Sequence, residues 1–139
     1  MVQRMSLGAR AVVGWIILFV VMFTNGAVRV LVLQPRLGED LARQVASLSG
    51  VVLVLMASAL LVRASPQARL GQLAWVGVGW LGATLAFEFL FGHFVSGQPW
   101  SSLLADYNIL KGRLWSLIVI SICVGPWLCG LLGGRKRPA

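Results

Sequence analysis

The chain is written in long apolar blocks separated by short polar ones, and four of these blocks reach membrane-spanning length. A helix needs about 20 apolar residues to cross a hydrocarbon core about 30 Å thick. The first block runs Ala11–Leu33 and stops at Gln34-Pro35. The second covers residues 45–62, with its helix expected to begin earlier, near Glu39, where two acids suit a helix N-terminus and Glu39 and Arg43 stand four apart. The third is residues 70–91 and the fourth 114–132. Inside lipid an unpaired backbone amide costs several kcal/mol, so each block is expected to be helical. The fold class expected is therefore all-α, a single integral membrane domain over residues 1–139 built as a bundle of four transmembrane helices.

The polar connections refine this picture. Ala64-Ser65-Pro66-Gln67 breaks the chain between the second and third blocks. The longest connection, Phe94 to Arg113, places Trp100, Leu103, Leu104 and Tyr107 at helical spacing, with Ser101, Ser102 and Asp106 opposite. That pattern predicts a short amphipathic helix lying in the membrane interface between spans three and four. In the third block Gly77, Gly79, Gly82, Ala83 and Ala86 remove side-chain bulk and invite a neighbouring backbone, another helix or a second copy of the chain.

Composition agrees with lipid as the solvent. The chain is 58% hydrophobic and 12% charged, with a mean hydropathy of +0.86, whereas soluble domains average about 45–50% apolar and about 25% charged. The net charge of +8 does not point to nucleic acid, because the basic residues flank the apolar blocks and form no basic stripe. They act as topology signals instead. With four spans, one side carries Arg4, Arg10, Arg63, Arg69, Arg135, Lys136 and Arg137 with no acid. The other carries Arg29, Arg36, Arg43, Lys111 and Arg113, diluted by Glu39, Asp40 and Asp106. The positive-inside rule then places both termini in the cytoplasm of a bacterial-type inner membrane.

Candidate chemistry is confined to the few polar residues within or beside the blocks. Glu88 lies among bulky apolar neighbours with Thr84 one turn earlier, and an ionisable group at membrane depth marks a site. Asn25 and Arg29 share a face of the first block. Arg29 follows Ala11 by 18 residues and Glu88 follows Leu70 by 18, so an Arg29–Glu88 ion pair is geometrically allowed if these spans touch. His93, Asp106, Asn108, Lys111 and Arg113 crowd the same side. The expected ligand or ion site is therefore Glu88, Arg29, Asn25, Thr84, His93, Asp106, Lys111 and Arg113, in the non-cytoplasmic half. One histidine and unsuitably spaced cysteines, Cys123 and Cys129, support neither a metal site nor a disulfide framework. No cofactor is indicated. No serine or cysteine stands beside a recognisable base, which argues against an enzyme.

Three stretches, Asn25–Arg29, Phe87–His93 and Asp106–Trp115, resemble small four-span inner-membrane proteins of bacteria that have no assigned activity. The resemblance covers most of the chain and implies a compartment without a mechanism. Small four-helix transporters that carry their key acid in the first span do not match, since this span has none. Two functions remain: a small channel or transporter, assembled as a homo-oligomer, with its polar site in the outer half; or an accessory subunit of a larger membrane complex, with the tryptophans and the amphipathic segment meeting partners.

Overall fold

The computed structural model describes residues 5–105 and 115–133. Helix α1 runs Leu7–Val28, passes through a π-helical turn at Arg29–Leu33 and finishes as Gln34–Leu37. Ser6 caps its start, its Oγ accepting the Ala9 N–H at 3.2 Å. Helix α2 is Glu39–Ala64. Helix α3 is Leu70–Leu90, extended by a second π-helical turn at Phe91–Val95. The short helix α4 is Trp100–Ala105, and α5 is Trp115–Leu132. The described residues contain no strand.

Gln34-Pro35 does not end α1, contrary to the sequence expectation. Proline lacks the N–H that a continuing α-helix needs. Here the π turn, closed by the Gln34 N–H on the Arg29 carbonyl, resets the hydrogen-bond ladder, and Pro35 falls in the first turn of a new α-helical segment. In that position its N–H is not required. The chain then reverses at Gly38, whose φ of +84° is a left-handed conformation that favours glycine. The early start of α2 is as expected, and Arg43 pairs with Glu39 at 2.7 Å on its first exposed turn.

Among the described residues three helices are long and apolar enough to cross a membrane: Leu7–Leu37, Glu39–Ala64 and Leu70–Val95. The apolar helix ending at Leu132 is shorter. Large apolar side chains cover the outside, with Phe23 71% and Trp75 75% exposed, a surface that suits lipid and not water.

Inside, α5 sits between α2 and α3 and packs along both, while α1 lies against α2 and reaches α3 mainly through side chains. Leu18, Val54, Leu61, Trp80, Ile118 and Ile122 form the main core. Small residues set how closely the backbones approach. A Cβ on Gly77 would collide with the Cys123 carbonyl, and one on Gly125 would meet Ser58 Oγ. Of the third-block glycines, therefore, Gly77 is spent within the bundle, whereas Gly79 and Gly82 face open space.

Candidate functional site

The site is built on the seam between α1 and α3. Trp80 donates its indole N–H to the Ala11 carbonyl at 2.8 Å, and its ring fills a notch left by Gly14. One turn along, Trp15 Nε1 donates to Thr84 Oγ1 at 3.0 Å. Next, Phe19 meets Phe87 edge-on with ring centroids 4.7 Å apart. These pairs run in parallel register and bring Thr84 and Glu88 to the α1 residues around Phe19.

Glu88 and Thr84 line a cavity of about 330 Å³ between the two helices. Its walls are largely aromatic, from Trp15, Phe19, Phe23, Phe87 and Phe91. Phe87 and Phe91 stack at 5.2 Å, and Phe19 continues the row to Phe23 at 6.5 Å. Ser96 and Gln98 close one end from the bend after α3. Glu88 itself is half-buried. A carboxylate set among aromatic faces can accept hydrogen bonds and attract a cation, and ring faces add to the attraction.

The bend that closes the cavity is tied to the second π turn. The Ser96 N–H bonds the Phe91 carbonyl at 3.0 Å and the Gln98 N–H bonds the Gly92 carbonyl at 2.8 Å, with Gly97 at a φ of +69°. His93 completes the tie: its Nδ1 lies 2.9 Å from the Gln98 carbonyl oxygen. A carbonyl only accepts, so Nδ1 carries the proton. The imidazole also stacks on Trp100 at 4.1 Å, which anchors α4 to the end of α3.

The remaining candidates separate. Asn25 turns to α2 and not α3: its Nδ2 donates to the Ala46 carbonyl and its Oδ1 accepts from Ser49 Oγ, both at 2.9 Å. Arg29 lies ten residues beyond Phe19, roughly 15 Å further along α1, and it does not line the cavity with Glu88. Its Nε is buried without a hydrogen-bond partner among the described residues. The allowed Arg29–Glu88 pair is not formed, and the ion pair shown by the described residues is Arg43–Glu39. Counting from the first apolar residue of each block misplaced the register, because the Trp80–Gly14 notch and not the block edges sets it. Asp106, Asn108, Lys111 and Arg113 lie outside the described residues. No cluster of three potential metal ligands occurs among the described residues.

Sequence reasoning missed Trp15, Ser49 and Phe19, whereas Trp80 was already legible one turn before Thr84 on the face of Glu88. Their spacing relative to Thr84 and Asn25 carries no local signal, since the partners are dozens of residues away. Only Trp15 stood out in principle, as an indole N–H inside an apolar block that needs an acceptor.

A second cavity, of about 510 Å³, lies on the same seam toward the N-terminal ends of α1 and α3. Trp15 lines both cavities, and its bond to Thr84 stands between them. Comparison with protein-family models, with curated proteins and with solved structures finds no match for this chain.

Proposed function

We propose that this protein crosses a bacterial inner membrane four times, with both termini cytoplasmic, and that it binds and carries a small cationic solute in the Glu88 cavity. The observation that carries the reading is the placement of Glu88 and Thr84 on the wall of an aromatic cavity between α1 and α3. A carboxylate at membrane depth is costly and is retained where it serves a ligand or a partner. The one-sided position of Glu88 supports an outer-facing solute site over a continuous titratable relay. The fourth crossing is α5, which at 18 residues spans about 27 Å, close to the hydrocarbon thickness. The amphipathic helix α4 is assigned to the interface, with Trp100 at headgroup depth.

Tetraphenylphosphonium serves as probe. Its binding to the purified protein, and its uptake by proteoliposomes, should weaken at least tenfold in Glu88→Gln, equivalent to about 1.4 kcal/mol, with helicity unchanged. Equal binding by Glu88→Gln removes the carboxylate from the site. The accessory-subunit reading is tested by purification at native expression in mild detergent, where a stoichiometric partner chain would favour it. A reporter fused after Ala139 that is active only in the cytoplasm checks the orientation.

A further inference from the structure

The 510 Å³ cavity differs in character from the Glu88 cavity. Leu7, Ala11, Val12, Trp75, Gly79 and Ala83 make most of its wall, and Gln72 is the one side-chain amide in it. Along α3 its lining runs from Gln72 to Ala83, about 16 Å at ~1.5 Å per residue. That is the depth of one leaflet, half of a core about 30 Å thick. Spread over this length, 510 Å³ leaves a cross-section on the order of 30 Å² at ~1.5 Å per residue. A single hydrocarbon chain fits. Trp80 forms the buried floor, and the Trp15–Thr84 bond closes the inner end.

The mouth is positive. Arg10 is the chain neighbour of Ala11 in the wall, Arg69 caps α3 three residues before Gln72, and Arg63 ends α2 at the same end of the bundle. The acids of the described residues, Glu39, Asp40 and Glu88, all lie away from it, at the start of α2 or beyond the Trp15–Thr84 bond. The Arg69 N–H holds Gln72 Oε1 at 2.9 Å, so Gln72 has hydrogen-bond donors left to offer. Basic positions at the mouth of an apolar groove between helices match a lipid phosphate with its chain below.

We propose that this groove is a binding site for one anionic phospholipid, its acyl chain lying between α1 and α3 and its phosphate held by Arg10, Arg69 and Gln72. The site is independent of the Glu88 cavity and of any solute carried there.

Native mass spectrometry of the detergent-solubilised protein tests this with phosphatidylglycerol against phosphatidylcholine. One phosphatidylglycerol should be retained per chain, about tenfold in preference to phosphatidylcholine. Gly79→Leu should abolish retention of both, because a side chain there meets open space in the protein and fills the groove. Ala83→Leu is a second, independent filling variant. The double variant Arg10→Gln/Arg69→Gln should keep a bound lipid but lose the preference for the anionic one. Undiminished phosphatidylglycerol binding in both filled variants, with normal helicity, overturns the proposal. So does equal retention of the two lipids by the unmodified protein. A two-chain mass that falls to one chain in the filled variants also overturns it, by assigning the groove to a second copy.

Discussion

Trp15 donates its indole N–H to Thr84 Oγ1 across 3.0 Å, joining residues 69 positions apart and standing between the carboxylate cavity and the apolar groove. Thr84→Val keeps the shape and removes the acceptor, leaving a half-buried N–H unpaired at a cost of about 1–3 kcal/mol. Adding Trp15→Phe removes the stranded donor as well. The double variant should therefore lose less than the two single variants together, as read by unfolding in mixed detergent micelles.

The contact between Gly77 and the Cys123 carbonyl predicts an asymmetry among the glycines of α3. Gly77→Ala forces α3 and α5 apart, because the new methyl would occupy the place of a backbone oxygen. Overpacking of this kind costs about 1–3 kcal/mol or more. Gly82→Ala, with open space around it, should be neutral or slightly stabilising through helix propensity. Equal effects in the same unfolding assay would contradict the packing described.

Asn25 and Ser49 fasten α1 to α2 at 2.9 Å. Interhelical hydrogen bonds in membranes contribute about 0.6 kcal/mol on average and up to about 1.7. A double-mutant cycle of Asn25→Leu and Ser49→Ala should return a coupling in that range. A coupling of zero would mean that Asn25 gains its stability from the Ala46 carbonyl alone.

Ser58 Oγ is buried without a hydrogen-bond partner among the described residues, against Gly125. Ser58→Ala should thus be neutral or stabilising, since it removes a desolvated hydroxyl and no bond. Gly125→Ala should destabilise the α2–α5 contact, and combining it with Ser58→Ala should recover part of the loss by clearing the oxygen from the new methyl. Additive losses in the double variant would show that the crowding arises elsewhere.

Much of the fold was legible in the sequence. The apolar blocks, the acids at Glu39 and Asp40 and the break at Ser65-Pro66 marked the helices, because backbone hydrogen bonding in lipid leaves a long apolar block only one conformation. The end of α1 was misread at Pro35, since a π turn has no local sequence signature and it alone makes that proline tolerable. Of the candidate site, Glu88 and Thr84 were legible as polar residues one turn apart and do share a cavity wall. Asn25 and Arg29 were legible as polar but not as to which neighbour they face.

The sequence by itself determined an all-helical chain with membrane-length apolar segments and one carboxylate inside the third block. Those are properties of each segment against its solvent, and they need no knowledge of other segments. Only the tertiary structure decided that Trp80 seats in the Gly14 notch, that Asn25 turns to Ser49, and that Glu88 stands among the phenylalanines near Phe19 and apart from Arg29. Apolar side chains gain little by choosing one apolar neighbour over another in lipid. Register therefore falls to a few close fits and hydrogen bonds between distant residues, and these exist only once the helices meet.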